Sequence, residues 1–170
     1  LTLDMTGKLD DARIQAMASV DEFSLETTGR WRWSPTLKNY QADTLRLDAG
    51  QAGVWQLKEP ATIKMTSSSY SFTPFCLTDS IRRAVLCAHD GGRTIDVQSN
   101  EFPLSLIEPY LNTKADDFIY KGTASIQAEL PKDFDLKASG FIDLIVPSMV
   151  VGVRNNTDAE VTRLDDLRIR

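Results

Sequence analysis

Apolar and polar residues alternate with a period of two along most of this 170-residue chain. The longest clean run extends from Phe118 to Leu130, where one set of alternate residues is mostly apolar and the other is largely polar. Successive side chains of a β-strand point to opposite faces of the sheet, so this run predicts a strand with one apolar face. Similar short runs are separated by Gly, Pro, Asp or Asn. The chain is therefore predicted to be mainly β.

A small polar residue followed by glycine recurs in three segments, LDMTGKL (3–9), LETTGRW (25–31) and LKASGF (136–141). A three-residue hairpin loop with a left-handed glycine fits each of them. In the second segment this loop sets Leu25 opposite Trp31 and Glu26 opposite Arg30, which keeps one face apolar and matches charges on the other. The same rule gives the pairs Leu3/Leu9, Asp4/Lys8, Phe134/Leu144 and Leu136/Ile142.

These hairpins predict an extended antiparallel array in preference to a closed globule. The whole chain, 1–170, is interpreted as one segment with hairpin units at roughly 1–20, 21–60, 61–100, 112–150 and 151–170. One short helix is predicted near 103–111, because Pro103 opens the segment PLSLIEPYL and Leu104, Ile107 and Leu111 follow at helical spacing. Pro109 limits its length, so we expect a plug or connector.

The two cysteines, Cys76 and Cys87, are the only ones in the chain. If they face each other on one hairpin, Leu77 lies opposite Leu86 and Phe75 opposite Ala88, with both sulfurs on the other face. This symmetry favours a cross-strand disulfide in an oxidising compartment. The redox alternative lacks a C-x-x-C spacing.

Other site chemistry finds little support in the sequence. His89 is the only histidine, so a metal site would lack ligands, and no oxyanion donors accompany a Cys87–His89 nucleophile pair. Acidic pairs such as Asp116–Asp117 fall in turn-like contexts, and no phosphate-loop spacing is present. A net charge of -5 argues against nucleic-acid binding. We expect no catalytic residue, no metal and no cofactor.

Nothing in the sequence predicts a membrane span. The longest apolar run, from Ile145 to Val151, is interrupted by Pro147 and Ser148. Because the chain begins with Leu1, we interpret it as a fragment of a longer protein, in which any signal or anchor would lie elsewhere.

Five segments in order, VWQLKEPATIKM, FTPFCL, AVLCAHDGG, FPLSLIEPYL and IYKGTASIQAEL, resemble the TamB family of the AsmA-like superfamily. The family pattern is a W-x-L-x-x-P strand, a Cys-Leu strand, a Leu-Cys strand, a P-L-x-L-I-x-P-like helical turn and a strand that begins with Gly. The matching positions are Trp55, Leu57, Pro60, Cys76, Leu77, Leu86, Cys87, Pro103, Leu104, Leu106 and Gly122. The resemblance covers roughly residues 45–130. Ala88 and His89 depart from it, since the family more often has Gly there.

The resemblance implies a periplasmic segment of an envelope protein that is anchored in the inner membrane of a Gram-negative bacterium. Its fold would be an elongated β-sheet curled into an open trough with an apolar concave face. Its partners would be an outer-membrane Omp85-class protein (TamA-like), phospholipid acyl chains and unfolded outer-membrane proteins. The implied roles are phospholipid transport toward the outer membrane and assembly of outer-membrane proteins.

Three functions therefore remain open: a conduit for acyl chains, a chaperone that offers strand edges to unfolded barrel proteins, and a structural β-sandwich with a closed core. Trp31 and Trp33 alternate with Arg30 and Arg32, which favours an apolar face over a carbohydrate platform. The predicted lining residues of a groove are Leu25, Trp31, Trp33, Leu47, Trp55, Leu57, Ile63, Met65, Phe72, Phe75, Leu77, Leu86, Phe118, Tyr120, Ile126, Leu136, Ile142 and Leu144.

Overall fold

The computed structural model describes residues 1–8, 10–81, 83–106, 118–132, 141–153 and 156–169. Its strands are β1 (Thr2–Lys8), β2 (Asp11–Val20), β3 (Phe23–Trp33), β4 (Lys38–Ala49), β5 (Val54–Leu57), β6 (Ala61–Met65), β7 (Tyr70–Phe72), β8 (Phe75–Asp79), β9 (Ala84–Asp90), β10 (Thr94–Pro103), β11 (Phe118–Pro131), β12 (Phe141–Val153) and β13 (Asn156–Ile169). All of them belong to one antiparallel sheet that does not close on itself. The mainly β prediction is confirmed.

The sheet is a meander in which two strands are each broken by a proline. β5 pairs with one end of β4 and β6 with the other, so β5 and β6 are halves of one strand interrupted at Pro60. β7 and β8 are likewise separated at Pro74. Backbone bonds from Lys58 N to Cys76 O and from Thr73 N to Thr62 O, both 2.9 Å, continue the pairing across the breaks. Proline has no N–H to donate, which explains why the ladder stops there.

The register sorts the side chains into two faces, because cross-strand partners point to the same side. We call one side the apolar face, and its rows of opposed residues include Ala18/Leu25/Leu47/Trp55, Leu57/Leu77/Leu86, Ala12/Trp31/Tyr40/Ile63/Phe72, Phe75/Ala88/Val97/Ala128/Ile142 and Ile126/Leu144/Ile169. The opposite, polar face carries rows such as Arg13/Arg30/Gln41/Thr62 and His89/Asp96/Glu129/Phe141.

A 3-10 helix at Leu104–Leu106 packs on the apolar face, and its two leucines are among the largest fully buried side chains of the described residues. Leu106 packs in one cluster with Ala49, Trp55 and Ala84. Leu104 packs in a second cluster with Ala124 and Val146. Both leucines are 2% exposed. We call this segment the plug.

The predicted hairpin loops around Gly7 and Gly29 are wrong. β1 runs through Gly7, and β3 runs unbroken through Thr27, Thr28 and Gly29. Leu25 lies opposite Ala18 and Leu47, and not opposite Trp31. Gly29 is needed for a close approach: a Cβ there would lie 2.1 Å from Gln41 O and 2.9 Å from the Tyr40 ring. The third predicted loop, before Gly140, falls outside the described residues.

The predicted helix near 103–111 is reduced to the 3-10 plug at Leu104–Leu106, and residues 107–111 fall outside the described part of the chain. The other short helix is a 3-10 turn at Gly50–Ala52. Neither could span a bilayer, and the residues whose structure is described include no helix that is long and apolar enough to do so.

Candidate functional site

A continuous apolar track crosses the sheet from β2 to β12, perpendicular to the strands. We call it the apolar lane; its residues are Ala12, Trp31, Tyr40, Ile63, Phe72, Phe75, Ala88, Val97, Ala128 and Ile142. The Trp31 and Tyr40 rings lie 6.5 Å apart between centroids. The Phe72 and Phe75 rings lie 5.6 Å apart and join the lane across the break between β7 and β8.

Large side chains of the lane are open to solvent. Ile63 is 37% exposed and Ile142 is 58% exposed, while Trp31, Tyr40, Phe72 and Phe75 are half-buried. Apolar side chains outside the lane are also open at the β1 end of the sheet, including Leu3, Val20, Phe23 and Leu25. Exposed apolar side chains that lie together on one face are a common feature of binding sites.

The plug covers the part of the apolar face that lies next to the lane. Phe102, which precedes the plug in β10, stacks on Trp55 of β5 with 6.1 Å between ring centroids and 12° between ring planes. The Trp55 Nε1–H donates to Ala52 O at 2.9 Å, which satisfies the indole donor within the cluster. The two buried clusters therefore fill the part of the apolar face beneath the plug, and none of their residues belongs to the lane.

Every predicted lining residue whose side chain is described lies on the apolar face. Tyr120 shares it by alternation with Ala124 along β11, and Met65 and Trp33 share it as partners of Lys38. Trp55, Leu47, Leu77 and Leu86 belong to the cluster beneath the plug. Phe118 pairs with Val153 in the backbone of β11, and Leu136 lies outside the described residues. That these residues line a groove and touch lipid or a client stays a prediction.

Charged side chains are rare on the apolar face. Among described residues with a cross-strand partner, they are Lys38, Asp79 and Asp90. Asp79 is 1% exposed and accepts a hydrogen bond from Ile81 N at 2.9 Å. Asp90 accepts a hydrogen bond from Lys132 and forms a salt bridge with it.

The Asp90 carboxylate is the centre of a polar clamp at one long edge of the sheet. Besides Lys132, it accepts bonds from Phe72 N at 3.0 Å and Gly92 N at 2.8 Å. The Lys132 ammonium also donates to Tyr70 O at 3.2 Å and lies 5.2 Å from the centroid of the Tyr70 ring. These donors, above all Lys132, lower the pKa of Asp90 below its ordinary value. The clamp ties β7 to the ends of β9 and β11.

Cys76 and Cys87 form a disulfide between opposed positions of β8 and β9. Both lie on the polar face, because they alternate with Leu77 and Leu86. The disulfide prediction is confirmed, and the bond is compatible with an oxidising compartment.

Two parts of the site were missed in the sequence. The lane residues that were not predicted to line a groove are Ala12, Tyr40, Ala88, Val97 and Ala128, although period-two alternation within their strands was a usable signal. The pairing of Asp90 with Lys132 joins residues 42 positions apart, and no local pattern indicates it.

The described residues contain no group of three or more His, Cys, Asp or Glu side chains placed to hold a metal ion. No protein-family model matches the chain, and comparisons with curated proteins and with solved structures give no match either.

Proposed function

We propose that this chain is a segment of a non-enzymatic conduit in which the apolar face shields phospholipid acyl chains from water. The observation that carries the proposal is the apolar lane, a track of opposed apolar residues from β2 to β12 whose large side chains are half-buried or exposed. Burying apolar chain is favourable by about 0.8 kcal/mol per CH2 and requires no directional contact. A lane of this kind therefore suits an acyl chain that slides along it.

Curvature toward the apolar face would turn the lane into a trough. The stacking of Trp55 on Phe102 supports such a curl, since β8 and β9 lie between their strands. In a flat sheet, strands three positions apart are separated by about 14 Å. Side chains that stand upright on that sheet would not bring the two rings to 6.1 Å.

The cellular setting is proposed from the sequence resemblance to the TamB family. In that setting the chain lies in the periplasm within an inner-membrane-anchored protein, and an Omp85-class, TamA-like protein receives its cargo at the outer membrane. The disulfide supports a location outside a reducing cytoplasm.

Photo-crosslinking tests the conduit directly. A crosslinking amino acid at Ile63 or Ile142, on the apolar lane, is expected to capture phospholipid in cells. The matched controls are Thr62 and Phe141, each one residue away on the polar face. Native mass spectrometry of the purified chain should show co-purified phospholipid. Equal lipid capture on both faces, or none on either, would refute the conduit.

A second candidate function, strand addition to unfolded outer-membrane proteins, is favoured by β1. All seven residues of β1 are exposed, and among the described strands β1 pairs only with β2. An open strand edge offers backbone N–H and C=O groups to an extended peptide. Crosslinkers at Thr2 and Thr6 that capture unfolded barrel protein, with none capturing lipid at Ile63, would favour this alternative.

A closed sandwich would need a second layer over the lane, and the described strands form one sheet.

A further inference from the structure

A small cavity of about 150 Å³ lies at the edge of the sheet, next to the apolar lane. It is formed by the turn between β3 and β4 and the turn between β6 and β7. Its polar lining residues are Lys38, Ser34, Thr36, Thr66 and Ser67, all of which are exposed. Its apolar lining residues are Pro35, Leu37 and Met65, and Met65 belongs to the apolar face. We call it the edge cavity.

Lys38 is the charged group of this cavity. It pairs with Trp33 on one side and Met65 on the other, one row beyond Tyr40 and Ile63 of the lane. Along the strand, that row lies about 7 Å from the lane. Among the described residues no carboxylate makes an ion pair with Lys38, and the described lining contains no Asp or Glu. The cavity therefore presents an uncompensated positive charge beside an apolar surface.

The two turns hold the hydroxyl groups in place. Ser34 N donates to Leu37 O at 2.8 Å, and Thr66 N donates to Ser69 O at 2.8 Å. The Ser34 and Thr66 hydroxyls accept bonds within their own turns. The hydroxyls of Thr36 and Ser67 have no hydrogen-bond partner among the described residues, so they are free to donate to a ligand. One ammonium and two free hydroxyls, fixed on short turns, suit an anion with several acceptor oxygens.

We propose that the edge cavity binds the phosphate of a phospholipid headgroup while the acyl chains of the same lipid lie on the apolar lane. This inference rests on the proposed conduit and adds the site that distinguishes a phospholipid from an uncharged lipid. The lane supplies apolar contact for the chains and Lys38 supplies charge for the phosphate. The cavity lies at the sheet edge, where a charged headgroup stays in water.

Binding of two lipids that differ only in the phosphate tests the proposal. The probes are dioleoyl-phosphatidic acid and dioleoylglycerol, each presented to the full chain in the same neutral detergent. The unaltered protein should bind the phosphate lipid about tenfold more tightly, as expected for charge-assisted hydrogen bonds. Lys38→Gln should bring the two affinities within about twofold by weakening only the phosphate lipid. Lys64→Gln is the matched control, because Lys64 pairs with Asn39 on the polar face, and it should retain the tenfold preference.

The possible results separate the two proposals. If the unaltered protein binds neither lipid, the conduit itself is overturned. If it binds both equally, the conduit stands and the headgroup site is overturned. A ³¹P resonance of inorganic phosphate that shifts with the protein and returns to its free value in Lys38→Gln, without any change in lipid preference, would reveal a site for free phosphate and overturn the lipid assignment. Circular dichroism melting of both variants checks that they fold.

Discussion

Cys76 in β8 lies directly opposite Cys87 in β9, with 4.0 Å between their Cα atoms. The adjacent pair, Leu77 and Leu86, points to the opposite face and packs beneath the plug. The disulfide thus fastens from the polar face a hairpin whose leucines support the buried cluster on the apolar face. The disulfide on the polar face is therefore separate in space from the proposed binding surface on the apolar face.

Replacing both cysteines by serine should destabilise the chain and leave the lane intact. The disulfide closes a loop with a sequence separation of 11, and in the chain-entropy model its loss costs about 3 kcal/mol. Urea unfolding of the double variant should show this loss, and lipid capture at Ile63 should be unchanged. A reductant should destabilise only the unaltered protein. A double variant as stable as the unaltered protein would contradict the stapling role.

Leu106→Ala should destabilise the sheet more than any change at an exposed residue. Leu106 is 2% exposed and packs with Trp55, Ala84 and Phe102. Truncating a buried leucine costs about 2 to 5 kcal/mol through lost apolar contact and the cavity that remains. Ile81→Ala, at a side chain that is 81% exposed, is the control and should change the free energy of unfolding by less than about 0.5 kcal/mol. Equal effects in denaturant titrations would show that the plug does not anchor the face.

Asp90→Asn should destabilise the protein at neutral pH and much less in acid. Lys132 lowers the pKa of Asp90, so the folded carboxyl titrates below the unfolded value of about 3.9. The stabilisation from Asp90 is therefore complete above the unfolded pKa and is lost as the pH falls through the lowered folded pKa. At pH 7 we expect a loss of about 1 to 3 kcal/mol, because partners of a mostly buried carboxylate are left unsatisfied.

Urea midpoints measured at pH 7 and pH 3 provide the test for Asp90. The gap between the unaltered protein and Asp90→Asn should narrow at pH 3. Asp165→Asn, at an exposed position of β13, should behave like the unaltered protein at both pH values. A gap that stays constant between pH 7 and pH 3 would mean that the charge on Asp90 contributes nothing to the clamp.

The apolar face of several strands was predictable from the sequence, but the partners of several strands were not. Alternation in β11 placed Tyr120, Ile126 and Leu130 on one face, and the two cysteines fixed the register of β8 and β9. The alternation of side chains between the two faces is a property of the single strand, so the local sequence is enough to predict it. The neighbour of a strand depends on where the chain turns, and the turn signals were ambiguous.

The main error of the sequence prediction was to place hairpin loops at Gly7 and Gly29. In Thr27–Thr28–Gly29, glycine after small polar residues resembles a hairpin loop, yet β3 continues through it. The register of β3 and β4 shifts there, between Thr28 and Gly29. The Tyr40 ring lies over the glycine. Gly29 must lack a Cβ because Tyr40 of the neighbouring strand lies there, and the residues next to Gly29 in the sequence give no sign of that contact. Turn and close approach therefore look alike in sequence.

Gly29→Ala distinguishes these two roles. An alanine Cβ would lie 2.1 Å from the Gln41 carbonyl oxygen and 2.9 Å from Tyr40 ring atoms, and the carbonyl belongs to the β4 backbone. The strands must separate locally, so we expect a loss of about 1 to 3 kcal/mol and a shift in the Tyr40 ring resonances. Gly92→Asn is the control: Gly92 has φ +83 with nothing within 4 Å of an added Cβ, and asparagine tolerates left-handed backbone. If Gly29→Ala were as stable as the unaltered protein, Tyr40 would not require the close approach, and the lane would not depend on glycine beneath its aromatic rings.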